Sequence, residues 1–247
     1  MIDFVQNPNL PSGRVTSLIC GTDDEYILDF FHKNKIEVIL IKPNENIDSA
    51  VSTHADMSVL HIGADKILVD KNQTELIHLL KKQNMEVLIT EKEICGNYPD
   101  DIKLNFAVAG DCVIGNFRYS DELVQELFKK KQINVKQGYC KCSVLVVSDT
   151  AIITDDLSIY QSALKNGFEA LLIKKGDVSL PGHEYGFIGG ASGKISEKAV
   201  VFFGDITKHC DYKKIRDFLN KYGCGFVCTD NKKLRDIGGI IPFKQRI

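Results

Sequence analysis

The sequence predicts an α/β fold built as a closed array of ββαβ units, and three observations carry that prediction. Residues 54 to 70, HADMSVLHIGADKILVD, return at 139 to 155 as YCKCSVLVVSDTAIITD, an ungapped offset of 139 − 54 = 85. Each copy is followed by a helical pattern and another apolar run, so the repeat is one of structural units. Hairpin-like strand pairs precede the helices, and no GxGxxG fingerprint occurs, so a cyclic array explains the sequence better than a doubly wound dinucleotide-binding sheet.

Taken in order, residues 1 to 14 contain two prolines and a glycine among polar residues, and read as a loop or irregular arm. VTSLIC (15–20) is strand-like, Thr22 or Asp23 is placed to cap a helix carrying Tyr26, Ile27, Phe30 and Phe31, and IEVILIK (36–42) is a second strand. The second unit opens with a strand from His54 to Ile62, turns at Gly63, returns along Lys66 to Val69, and continues through TELIHLLKK to EVLI (86–89). The third has NFAVAG and CVIG around Gly110 and Asp111, a helix capped by Ser120, and INVKQ. The fourth begins at Tyr139 and ends at EALLIK. In the fifth, YGFIGG reads as the first strand, ASGKISEK as the connection, then AVVFFG, a helix with Ile215, Phe218 and Leu219, and GFVC. The first unit lacks one strand, and the C-terminal DIGGIIPF (236–243) is an orphan strand, so that tail is expected to complete the first unit and close the ring.

Composition narrows the function classes. Thirty-one basic against thirty-three acidic residues give a formal net charge of −2, without the basic footprint of a nucleic-acid binder. The opening residues lack the basic start and apolar run of a secretory signal, and no apolar stretch is long enough to span a bilayer, so a cytoplasmic protein without membrane partners is expected. Eight cysteines, several within apolar runs, read as reduced thiols. The spacing of Cys140 with Cys142 and of Cys224 with Cys228 is not that of a zinc knuckle, and no metal or cofactor is expected.

On a strand, residues two apart share a face, so His54, Asp56 and Ser58 are expected to point together. If that face is inward, His54 and Asp56 form either an acid/base pair or a hydrogen-bonded structural pair. Lys141 beside Cys142 would favour a reactive thiol. The repeat register, however, aligns Asp56 with Lys141, which sends Lys141 inward and Cys142 to the opposite face. The glycine-dense stretch PGHEYGFIGGASGK (181–194) serves either an anionic ligand through its backbone or simply a turn. Thr154, Asp155 and Asp156 read as a helix cap rather than a cation site.

Five ββαβ units with a chain end completing the first resemble the pentein, or guanidine-modifying-enzyme, fold of arginine deiminases, agmatine deiminases, amidinotransferases and dimethylarginine hydrolases. HADM, QGYCKCS, PGHEYGFIGGASGKI and DIGGIIPF are similar to an uncharacterised bacterial family assigned to that fold. The resemblance implies one domain over residues 1–247, a propeller ring with pseudo-fivefold symmetry, and a site in its central channel. His54-Ala55-Asp56 matches the superfamily's His-x-Asp pair, and Glu184 with Gly189-Gly190 resembles its acidic Gly-Gly element. Gly238-Gly239-Ile240-Ile241-Pro242 stands where those enzymes carry a nucleophilic cysteine, and the elements are permuted along the chain. The implied function is binding, and modification if Cys142 serves as nucleophile, of a small guanidino or amino-acid-like compound. Catalytic candidates are His54, Asp56 and Cys142, and ligand-binding candidates are Lys141, Glu184, Gly189 and Gly190. The alternative is a catalytically silent pentein serving as a binding or interaction module. With Cys142 turned away, no deiminase or hydrolase turnover is expected.

Overall fold

The computed structural model describes residues 1–128 and 131–247. Its first unit comprises β1 (Ile2–Phe4), β2 (Arg14–Cys20), α1 (Glu25–Lys33) and β3 (Glu37–Leu40). The second opens with a single helical turn, α2 (Ala55–Ser58), before β4 (Val59–Gly63), β5 (Lys66–Val69), α3 (Thr74–Lys82) and β6 (Glu86–Ile89). The third comprises β7 (Ala107–Ala109), β8 (Cys112–Gly115), α4 (Glu122–Leu127) and β9 (Lys131–Asn134). The fourth again opens with a helical turn, α5 (Cys140–Ser143), followed by β10 (Val144–Ser148), β11 (Ala151–Thr154), α6 (Leu157–Lys165) and β12 (Glu169–Leu172). After the short β13 (Val178–Ser179) come β14 (Ser192–Ser196), β15 (Ala199–Phe202), α7 (Tyr212–Lys221) and β16 (Gly225–Cys228), then β17 (Leu234–Arg235) and β18 (Ile240–Arg246).

In units two to five the first two strands pair antiparallel and the third adds parallel to the second, the helix making the crossover. In the first sheet the antiparallel partner of β2 is β18, with Ile240 opposite Cys20 and Ile241 opposite Ile19. Aspartates start the crossover helices: Asp24 accepts hydrogen bonds from the Tyr26 and Ile27 amides, and Asp156 from those of Ser158 and Ile159, satisfying donors that a helix start leaves open.

Among the described residues, the buried apolar side chains form five clusters, each shared by neighbouring units. Phe31, Ile27 and Leu18 of the first unit pack with Val201 and Phe203 of the fifth, just as Ile67 and Leu80 of the second pack with Ile19 and Ile39 of the first. Each large side chain removed from water in this way contributes about 1.5–3 kcal/mol, and the fifth cluster joins the last unit to the first.

Several expectations are corrected. Residues 1–14 are not an arm throughout, because β1 pairs with β18. The caps are Asp24 and Asp121 rather than Thr22, Asp23 or Ser120; Thr22 Oγ1 instead accepts from the Asp24 amide. In the fifth unit the first strand is Ser192–Ser196, not YGFIGG, because the Gly190 amide and carbonyl are bonded to Cys142, Ile237 and Gly239 rather than to a neighbouring strand. The tail strand begins at Ile240, four residues after Asp236.

Candidate active site

The segment His54 to Ser58 is not a strand. Residues 55–58 make one helical turn with His54 as its N-cap in extended backbone, and Val59 begins the strand. A helical turn replaces the two-residue alternation of a strand by rotation, so the expected shared face of His54, Asp56 and Ser58 does not exist. The same turn at Cys140–Ser143 overturns the placement of Cys142. Its thiol points inward and donates to Asp56 Oδ2 at 2.9 Å. The expectation that Cys142 faces away, and the lack of turnover drawn from it, therefore lose their basis.

The two turns are tied together by Asn105, which is completely buried. Its Oδ1 accepts from the Lys141 amide at 2.7 Å and the Cys142 amide at 3.4 Å, while its Nδ2 donates to the Asp56 carbonyl at 3.3 Å. The same Nδ2 lies 3.3 Å from Met57 Sδ and 3.4 Å from Cys142 Sγ. Asp236 closes the cluster from the C-terminal side. Its Oδ1 accepts from the Gly238 amide and lies 3.7 Å from His54 Nδ1, while its Oδ2 accepts from the Phe187 amide at 2.8 Å.

The glycines beneath this cluster are there for space. A Cβ on Gly190 would lie 1.8 Å from Asp236 Oδ1, and one on Gly238, whose φ is +74°, would lie 2.4 Å from His54 Cβ. The Gly190 amide donates to the Cys142 carbonyl at 2.8 Å, and the Gly190 carbonyl accepts from Ile237 and Gly239.

Burial dominates the electrostatics. It pushes the Asp56 carboxyl up to about 6, against the lowering effect of His54, Lys141 and the Cys142 hydrogen bond. Burial, followed by the negative charge of Asp56 and Asp236, holds the Cys142 thiol well above its ordinary range, so the resting thiol is protonated. Asp155, under the glycine loop and bonded to the Ile188 amide, is pushed up to about 7, also by burial.

A cavity of about 280 Å³ reaches this cluster, with His54, Cys142, Asp236, Tyr139, Phe187, Tyr185 and Glu184 in its wall. Tyr139 donates to Asp101 Oδ2 at 2.8 Å, and the Tyr185 and Phe187 rings meet edge to face at 5.9 Å between centroids. At its mouth, His183 Nε2 lies 3.0 Å from Asp48 Oδ2. A larger cavity of about 500 Å³ also touches His54, Leu180 and Asp236, but Cys142 faces only the smaller. The Cys142 thiol is therefore reached from the smaller cavity. That cavity holds polar groups converging in an apolar pocket, the usual form of a small-molecule site.

Of the residues singled out from sequence, His54, Asp56 and Cys142 come together, and Glu184 is exposed at the cavity wall. Lys141 is buried on the other side of its turn, lining narrow gaps beside Ile240 and Val144. Gly189 and Gly190 support the cluster from behind rather than line the cavity. Sequence reasoning missed Asn105 and Asp236. Asn105 sat in a stretch read as strand; the Asp-x-Gly of residues 236–238, with the aspartate bonding an amide two residues on, was the available signal for Asp236.

Solved structures share this architecture at low identity. An inosamine-phosphate amidinotransferase from Streptomyces griseus matches with a TM-score of 0.59 at 10% identity, covering 97% of this chain and 96% of that one. The dimethylarginine hydrolase (DDAH) from Pseudomonas aeruginosa, solved as a Cys-to-Ser mutant with citrulline, matches with a TM-score of 0.57 at 12% identity, covering 95% and 100%. A C. jejuni agmatine deiminase with substrate bound matches with a TM-score of 0.56 at 13% identity, covering 96% and 95%. The fold is therefore the pentein, or guanidine-modifying-enzyme, fold, and at these identities the likeness extends to fold alone. No curated protein sequence matches. Among the described residues, no helix is long and apolar enough to cross a membrane. A family model covers residues 18–241, and the chain belongs to that family, described as a family of unknown function, DUF6873.

Proposed function

We propose that the chain binds and modifies a small guanidino or amino-acid-like compound in the 280 Å³ cavity, with Cys142 as nucleophile. The observation that carries this reading is the 2.9 Å hydrogen bond from Cys142 Sγ to Asp56 Oδ2, beside His54, at the cavity's inner wall. A guanidinium is planar and cationic. Tyr139, Tyr185 and Phe187 offer ring faces to such a cation, and Asp236 and Glu184 offer carboxylates.

The entering cation offsets the negative surroundings that keep the thiol protonated. The thiol proton passes along its existing hydrogen bond to Asp56, whose raised pKa suits it to hold a proton near neutrality. Sγ then bonds to the guanidinium carbon, and the carbon–nitrogen bond breaks as His54 and Asp56 return a proton to the departing amine. Water hydrolyses the resulting S–C bond, releasing the ureido product and restoring the thiol. Lys141, Gly189 and Gly190 hold the turn and its support in place. In the same reading residues 1–247 are one domain, its five units arranged with pseudo-fivefold symmetry around the site, working in the cytoplasm where thiols stay reduced.

Arginine and agmatine are expected to raise the melting temperature of wild type, and Asp56→Ala to abolish the rise. Wild type is expected to release a ureido product that Cys142→Ser does not. A guanidino panel giving neither shift nor product at millimolar concentration would replace this reading by that of a silent binding module.

A further inference from the structure

We propose that His54, Asp56 and Cys142 also form a binding site for a divalent transition-metal ion of the zinc class. One nitrogen, one sulfur and one carboxylate oxygen from these three buried residues lie within 4.8 Å of one another. Tetrahedral zinc with bonds near 2.0–2.3 Å wants donors about 3.5 Å apart, so a side-chain adjustment of about an ångström brings the three to bonding distance. A borderline-soft ion is the one that accepts this mixture of donors, whereas magnesium and calcium would require oxygen alone.

The second observation is a buried carboxylate oxygen of this cluster left without a partner. Asp56 Oδ1 is buried without a hydrogen-bond partner among the described residues, in a residue only 1% exposed, and His54, 2% exposed, makes no hydrogen bond through Nδ1, which has only Asp236 at ion-pair distance. Asp236 Oδ1, 3.7 Å from His54 Nδ1, is placed as the outer carboxylate that orients the imidazole through Nδ1 and leaves Nε2 to ligate. On binding, the Cys142 S–H bond breaks, sulfur bonds to the metal and one proton leaves to solvent. The thiolate and the Asp56 carboxylate then neutralise the dication. Three protein donors leave a fourth position open, and His54 and Cys142 both face the 280 Å³ cavity through which an ion enters.

A second trio, Asp177, His209 and Cys210, is similarly close but already engaged. His209 Nδ1 accepts from the Asp211 amide at 3.0 Å, and Asp177 Oδ2 accepts from the Cys210 amide at 2.8 Å. It serves as the internal control. Sequence spacing did not reveal the first trio because its halves, Asp56 and Cys142, are 86 residues apart.

The inference does not rest on the guanidino reading, and its test uses metal alone. Full-length protein, stripped with chelator, is titrated with Zn²⁺ by calorimetry in buffers of different ionisation enthalpy and with Co²⁺ by absorption. Expected are one ion per chain, about one proton released, and a thiolate-to-cobalt charge-transfer band. Cys142→Ser should remove the band and weaken binding about 100-fold, with His54→Gln weakening it comparably and Cys210→Ser leaving both unchanged. In wild type, bound Zn²⁺ should also slow iodoacetamide labelling of the Cys142 peptide, a reading available even if the variants do not fold. A band that survives Cys142→Ser and vanishes in Cys210→Ser, or labelling of Cys142 unaffected by saturating Zn²⁺, overturns the proposal.

Discussion

The two short helical turns, Ala55–Ser58 and Cys140–Ser143, occupy corresponding places in their units and each hands over to a strand at a valine. Met57 and Cys142 are equivalent under the 85-residue offset, and the Asn105 amide nitrogen lies almost equally far from both sulfurs, 3.3 and 3.4 Å. One turn presents a histidine and a carboxylate, the other a thiol. The comparison teaches that the backbone device is common and the polar side chains of the cluster are divided between its copies. Only the thiol of the second turn reaches across to the carboxylate of the first.

Breaking the bridge between the turns should have the largest effect. Asn105→Leu keeps the side-chain volume but strands the Lys141 and Cys142 amides and the Asp56 carbonyl inside the protein. At 1–3 kcal/mol per buried unpaired group, a loss of roughly 4 kcal/mol is expected in urea denaturation. A loss below about 1 kcal/mol would show that the turns hold their positions independently.

Next comes the carboxylate that only the first turn supplies. Asp56 rises from 3.8 to about 6, so the folded protein keeps a proton that the unfolded chain releases. Its contribution to stability is therefore greatest below about pH 4 and is lost as pH rises from about 4 to 6, by up to roughly 3 kcal/mol at 1.4 kcal/mol per pKa unit. Asp155, raised to about 7, adds a loss of the same sign at slightly higher pH. Denaturation midpoints measured from pH 4 to 8 should fall, and Asp56→Asn should flatten the lower part of that slope. A wild-type stability that rises over this range would refute the assignment.

The smallest expected effect sharpens the comparison from the other side. Met57→Leu, a volume-conserving change at the position matching Cys142, should cost under about 1.5 kcal/mol and leave the arginine-induced melting shift intact. Cys142→Ser in parallel should abolish ureido product. Equal functional loss in both would mean that the sulfurs act through packing.

Much of the fold was legible because strand pairs and helices write their pattern over many residues: the two apolar runs either side of the Gly63 turn between Val59 and Val69, and the helical spacing of Ile159 and Ala163, survive in the chain itself. The site was legible only in its parts. Four residues such as ADMS or CKCS cover barely one turn and show no period, so they were read as strand and the side chains were assigned by the wrong geometry. Asp236 had no visible partner in sequence because His54 and Phe187, the groups it serves, lie 182 and 49 residues away. Gly238 and Gly239 were read for the cysteine they lack, whereas their role is to leave room for His54 and the Gly189 carbonyl.

The strand Ile240–Arg246 is bonded to both β1 and β2, and it follows every other element along the chain. During translation the first unit must therefore wait, its β2 edge unpaired, until the last strand has left the ribosome. Asp236 and the two glycines emerge immediately ahead of it, so a nascent chain can carry the His54 turn and the Cys142 turn long before it can enclose them. The pairing is among the most distant in sequence that the chain makes, which places it late and slow in folding. The surroundings that bury the Cys142 thiol and hold it protonated are thereby completed only after synthesis has passed this strand.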